Sequence, residues 1–202
     1  MNNQLAHRIP LLSLLLCTGM ITACGQSTES DSPASTTKAA PLSTDGPVAQ
    51  SVFSATAILS PTKGNEANGT LIFEDGAGGV SLSGTISGLT PGKHGFHIHE
   101  TGDCSADDAS SAGGHFNPHG HAHGAPDSEI GQRHNGDLGN IIADAQGNAQ
   151  IDLTDSLLRL DGTDSIVGRA VIVHGNADDL SSQPSGAAGP RVACGIINSA
   201  EG

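Results

Sequence analysis

The sequence predicts an all-β fold, eight short antiparallel strands closed into a sandwich or barrel, and three observations carry that reading. Apolar and polar residues alternate in eight short runs, Gly, Asn and Asp turn formers separate the runs, and no stretch keeps the spacing of a long helix. The runs are Val52 to Leu59, Gly69 to Phe73, Val80 to Ile86, Gly95 to His99, Gly139 to Ala143, Ala149 to Leu153, Ala170 to Val173 and Val192 to Ile197. Composition agrees: 28 Gly among 202 residues favour turns, and four Phe with no Trp or Tyr leave small aliphatic side chains to fill the core. Past its N-terminal segments the chain keeps roughly 150 residues, enough for one core that buries about two-thirds of the unfolded surface.

Nine of the ten histidines fall between His94 and His174. In Gly95-Phe96-His97-Ile98-His99 the alternation sends both imidazoles of a strand to one face, where they can share an ion. His115 opens a turn-rich stretch through His119, His121 and His123, and His134 with Asp137 adds a nitrogen and a carboxylate. His174 closes the apolar run Ala170 to Val173. These are too many donors for one ion. Without a Cys-x-x-Cys pair they are nitrogen and oxygen donors, which favour copper and zinc over a thiolate site. The competing reading is a loose His-rich tract that merely buffers metal.

Six strings carry a resemblance: His94-Gly-Phe-His-Ile-His-Glu100, Gly114-His-Phe-Asn-Pro118, Arg133-His-Asn-Gly-Asp-Leu-Gly-Asn140, Val171-Ile-Val-His174, Ala177-Asp-Asp-Leu180 and Gly189-Pro-Arg-Val-Ala-Cys-Gly195. In this order they resemble the copper,zinc superoxide dismutase family across essentially everything after Val48. The resemblance implies an eight-stranded Greek-key barrel with long metal-binding and electrostatic loops. It implies copper held by His97, His99, His115 and His174, and zinc by His115, His123, His134 and Asp137, with His115 shared. Asp178 is expected to link His97 to His123 from outside the ligand set, and His94 to brace the site by hydrogen bonding. His119, His121 and His123 alternate, and any of them can reach a zinc; the Gly-x-Pro after His123 resembles the family's pattern, which implies His123 as the ligand and leaves the other two facing solvent. Cys104 and Cys194 are implied as a disulfide, and Arg191 as the group that guides superoxide to copper. The implied reaction converts superoxide into dioxygen and hydrogen peroxide, with His115 and Arg191 as the catalytic residues.

The N-terminus reads as an export signal. Arg8 precedes Ile9 to Ile21, apolar but short for a membrane span, so residues 1–23 are expected to be a leader. Ile21-Thr22-Ala23-Cys24 resembles a bacterial lipoprotein processing site with Cys24 as the lipidated residue; ordinary secretory cleavage is the alternative. Residues 24–47 are rich in Ser, Thr, Ala and Pro and read as a disordered tether, leaving 48–202 as the enzyme domain. A bacterial cell-envelope location follows, periplasmic and anchored at the outer membrane through Cys24.

A formal charge of −13 opposes an anionic substrate overall, so local charge at Arg191 must prevail. The acidic balance and missing aromatic platforms argue against nucleic-acid binding. A homodimer is expected, with a monomer as the alternative. The second functional reading is an envelope copper/zinc-binding or metal-delivery protein on the same fold, which has no use for Arg191, a shared His115 or Asp178.

Overall fold

The structure is a computed structural model and describes residues 53–200. The expected leader (1–23), Cys24, the expected tether (24–47) and Val52 lie outside the described residues.

All eight expected runs form strands: β1 (Ser54–Pro61), β2 (Asn68–Gly76), β3 (Gly79–Ser87), β4 (Gly92–His99), β5 (Asp137–Ala143), β6 (Ala149–Asp155), β7 (Ala170–His174) and β8 (Arg191–Ser199). The hydrogen-bonded order is β5-β4-β7-β8-β1-β2-β3-β6, every neighbouring pair antiparallel. β5 and β6 meet across the remaining seam, so the sheet is a nearly closed barrel. The connections β3 to β4 and β6 to β7 each pass over two intervening strands, which is the Greek-key arrangement.

Period-two alternation builds the interior. Ala55, Ala57 and Leu59 of β1, Leu71 and Phe73 of β2, and Val80 and Leu82 of β3 point inward and are fully or almost fully buried. Each fully buried Leu, Ile or Phe side chain contributes about 1.5–3 kcal/mol relative to exposure. The wall that bears the histidines departs from this pattern. In β4, Phe96 and Ile98 join the core, yet His97 and His99 on the outward face are buried too. Residues 100–136 and 175–190 lie over that face. Gly95 makes the second covering possible, because a Cβ there would sit 2.7 Å from Ala188 Cβ and 3.2 Å from His97 Cε1.

Register delivers the site residues to one end of the sheet. His97 of β4 stands opposite Asp137 of β5, with a bulge between Gly95 and His97. His174 of β7 stands opposite Arg191 of β8, with a bulge between Val173 and His174. An isolated bridge pairs His99 with His115 and draws the loop over the strand face. Bulges re-aim side chains, and both fall beside site residues.

Cys104 and Cys194 form a disulfide across 90 residues of sequence, with Cα atoms 5.8 Å apart. It ties the loop after β4 to β8 and so joins the loop to the strand that carries Arg191.

Candidate metal centre

Two groups of four buried residues each converge their donor atoms within 4.8 Å: His97, His99, His115 and His174, and His115, His123, His134 and Asp137. His115 belongs to both.

In the first group four imidazole nitrogens, His97 Nδ1, His99 Nε2, His115 Nε2 and His174 Nε2, are buried without a hydrogen-bond partner among the described residues. A buried polar atom left unpaired is costly, and four in one place fit a metal ion that takes their lone pairs. The opposite ring nitrogens are all committed. His97 Nε2 donates to Asp178 Oδ2 at 2.7 Å, His99 Nδ1 to the Gly113 carbonyl at 2.9 Å, His174 Nδ1 to the Gly189 carbonyl at 3.0 Å, and His115 Nδ1 to Asp137 Oδ1 at 2.7 Å. Each bond fixes a tautomer that aims the remaining lone pair inward.

The second group is built around one carboxylate. Asp137 Oδ1 accepts from His115 Nδ1 at 2.7 Å and His134 Nδ1 at 3.1 Å, and His123 Nδ1 lies 3.0 Å away without hydrogen-bond geometry. Asp137 Oδ2 takes the backbone N–H groups of His134 and Gly124 at 2.8 and 3.1 Å. Three imidazoles and one carboxylate closed off from solvent match a four-coordinate zinc site.

Electrostatics separates the groups. Burial, joined by repulsion among the rings, lowers His99 to about 2, and burial lowers His174 to about 3. Burial also brings His115 down to about 4 against the pull of Asp137. All three are therefore neutral donors at pH 7. His123 goes the other way: burial opposes its charge, but the Asp137 and Asp178 carboxylates outweigh that and raise it to about 9. Burial works to raise Asp137 and Asp178, yet the imidazoles bonded to each hold both well below the ordinary carboxylate range.

Asp178 touches both groups, since its other oxygen accepts from His123 Nε2 at 3.0 Å. His94 is buried and donates from Nδ1 to the backbone carbonyl of His174 at 2.8 Å. His119 and His121 stay out of both groups; His119 is exposed and bonds Asp164 at 3.0 Å. Arg191 lies beside the first group, its guanidinium donating to the carbonyls of Ala109 at 2.5 Å and Gly113 at 2.6 Å. His99, His115, His174 and Arg191 share the wall of a cavity of about 540 Å³.

Several supporting residues escape sequence reasoning. Asn140 clamps the Asp178 backbone from both sides, giving Nδ2–H to its carbonyl at 2.9 Å and taking its N–H at 2.8 Å. Gln183 does the same for His123 at 2.8 and 2.9 Å. Arg133 is buried, pairs with Asp155 at 2.7 Å and donates to the carbonyls of His134 and Asp137. Gly186 has a φ of +64°, and a Cβ there would strike both Asp178 and His123 Nε2. Asn140 stands inside the string that begins at Arg133, which was the available signal; Gln183 and Gly186 lie in a Ser/Gly-rich loop whose path no local pattern gives.

Comparison with known proteins agrees with this geometry. Residues 67–197 match the family model described as Copper/zinc superoxide dismutase (SODC). The extracellular superoxide dismutase [Cu-Zn] of Brugia pahangi is 47% identical over 152 residues, covering 71% of this chain and 74% of the relative. That of Caenorhabditis elegans is 47% identical over 156 residues, covering 74% of this chain and 68% of the relative. The crystal structure of the clock protein EA4 superposes with a TM-score of 0.66 at 42% identity, covering 74% of this chain and 96% of its own. With the family model spanning most of the barrel and two four-residue donor groups meeting at one histidine, this chain belongs to the copper/zinc superoxide dismutase family.

Proposed function

We propose a division of labour within the established dismutation of superoxide to dioxygen and hydrogen peroxide: His97, His99, His115 and His174 hold copper, and His115, His123, His134 and Asp137 hold zinc. Copper bound there supplies one-electron redox chemistry, oxidising one superoxide to dioxygen and reducing a second, with two protons, to hydrogen peroxide, while zinc keeps one oxidation state.

The observation that supports the assignment is His115, whose Nε2 points unpaired into the first group while Nδ1 lies 2.7 Å from Asp137 in the second. Nδ1 stays fixed on the second group. Nε2, unpaired on the side of the first group, is then the atom of this ring that would hold a proton and deliver it to the product. Arg191 keeps a positive charge on the cavity wall through two carbonyl bonds, so it attracts and orients the anion where the overall negative charge would repel it. Asp178 and His94 hold the ligand rings in orientation.

The test is superoxide decay by protein loaded with copper and zinc, beside His115→Ala and Arg191→Ala at equal ionic strength. Activity that falls in Arg191→Ala and largely disappears in His115→Ala is the expected result. Tight metal binding without turnover overturns it and leaves the metal-delivery reading.

The relatives are described as extracellular, and the apolar segment after Arg8 supports export of this chain as well. The finer reading is a bacterial envelope enzyme lipid-anchored at Cys24, with 24–47 as its tether; the mass of the mature N-terminus tests it, a free thiol or a different first residue overturning it. For self-association, Ile58 and Ile72 stand 70% and 45% exposed on the outer face of β1 and β2, an apolar surface suited to a second copy. Ile58→Glu is expected to turn a dimer into a monomer in sedimentation; a monomeric parent protein overturns this reading.

A further inference from the structure

Two histidines and a carboxylate outside both donor groups remain unused. His119 and His121 flank Gly120, whose φ of +69° turns the chain in open space so that the two rings come to one side, their centroids 5.8 Å apart and their planes tilted by 39°. The ring pairs of the first metal group provide an internal scale: His97 and His174 stand 5.0 Å apart, His99 and His174 5.7 Å, and His97 and His99 6.4 Å. The His119–His121 pair falls inside that range.

A third donor comes from another loop. Asp164, between β6 and β7, places Oδ2 3.0 Å from His119 Nε2. Nitrogen and oxygen ligands each about 2.0–2.1 Å from one ion stand about 3 Å apart at a right angle, so these atoms already keep the separation of neighbouring ligands. The backbone of His121 is fixed by Asn117, which takes its N–H at 2.9 Å and gives Nδ2–H to its carbonyl at 2.9 Å. These three donors do not close to the spacing of the two buried groups, so ion binding requires the His121 side chain to turn toward the other two. The side chains of His119 and Asp164 are 51% and 32% exposed, so an ion reaches them directly from solvent, and the formal charge of −13 favours cations near the surface.

We propose that His119, His121 and Asp164 form a third, surface metal site that takes a borderline divalent cation, Cu(II) most tightly. Two imidazoles and one carboxylate are the donors this class of ion prefers, and copper stands highest in the divalent affinity order. The site is open, with water completing the coordination, so its ion exchanges faster than one enclosed by the two buried groups.

The experiment titrates Cu(II) into full-length protein already loaded at both buried groups, by calorimetry and by paramagnetic broadening of the histidine ring signals. One further equivalent is expected, broadening His119 and His121. His119→Asn with His121→Asn is expected to weaken that equivalent about tenfold or more. The same double variant should leave superoxide decay unchanged, which also shows that it has folded. Asp164→Asn, which keeps the size of the side chain and removes its charge, is expected to weaken the site to an intermediate degree. Absence of the further equivalent in the parent protein, or its survival at full strength in the double variant, overturns the proposal; either result leaves the assignment of the two buried groups untouched.

Discussion

His99 and Arg191 donate to the same oxygen: the Gly113 carbonyl accepts His99 Nδ1 at 2.9 Å and an Arg191 guanidinium nitrogen at 2.6 Å. One carbonyl on the disulfide-bearing loop therefore sets both a metal-facing ring and the positive charge beside it. A second carbonyl, from Ala109, takes the other arm of the guanidinium. The geometry needs a planar fork, which Arg has and Lys lacks.

Arg191→Lys is accordingly expected to lower kcat/KM about tenfold although the charge is kept, and Arg191→Ala to lower it further and flatten its dependence on ionic strength. Stopped-flow superoxide decay across a salt series measures both. Lysine at full activity would show that charge alone matters and that the shared carbonyl is incidental.

Asp178 holds one imidazole of each donor group through its two oxygens. Asp178→Asn should weaken zinc binding about 10- to 100-fold, the usual cost of losing a group that orients ligands, while the donor set stays intact. Gly186→Ala should act alike, because its Cβ would push Asp178 and His123 apart from their present contact. Competition with a calibrated chelator reads both variants, and parent-like zinc affinity in both would remove Asp178 from this role.

Metal uptake should depend on pH differently at the two groups. In the metal-free protein His123, raised to about 9, is protonated at pH 7, so zinc must displace that proton and its apparent affinity rises with pH until about 9. His99 and His174, lowered to about 2 and 3, are neutral throughout the neutral range and contribute no such dependence to copper uptake. Calorimetry of zinc binding at pH 7 in buffers of different ionisation enthalpy should report the displaced proton, and His123→Ala should remove its share. Buffer-independent zinc heats would refute the protonation state given to His123.

The Cys104–Cys194 bridge closes 90 residues. On the loop-entropy account its removal in Cys104→Ser with Cys194→Ser destabilises the fold by about 4–5 kcal/mol. For a domain of this size that lowers Tm by on the order of 10 °C. Because Ala109 and Gly113, the anchors of Arg191, lie on the loop that the bridge fastens to β8, activity at temperatures well below Tm should fall as well. Thermal scans and rates on the same samples separate the two effects, and undiminished activity would mean that the loop keeps its position without the bridge.

The strands were legible from the sequence because alternation is a local property: Val80 to Ile86 reads inward and outward residue by residue without reference to any partner strand. Residue chemistry was equally local, so imidazoles and a carboxylate as donors, and a positive charge at Arg191, followed from identity alone. What only the tertiary structure decided is which atoms meet. His119, His121 and His123 alternate identically in sequence, yet only His123 packs against Asp137 and Asp178, because the Gln183 clamp and the space left at Gly186 bring that residue inward. Asn140 and Arg133 gained their roles the same way, through contacts with backbone groups that a linear pattern does not encode. Loop paths here are fixed by hydrogen bonds between residues such as His123 and Gln183, 60 apart in sequence, and that long-range satisfaction of polar groups is what period-two reading leaves out.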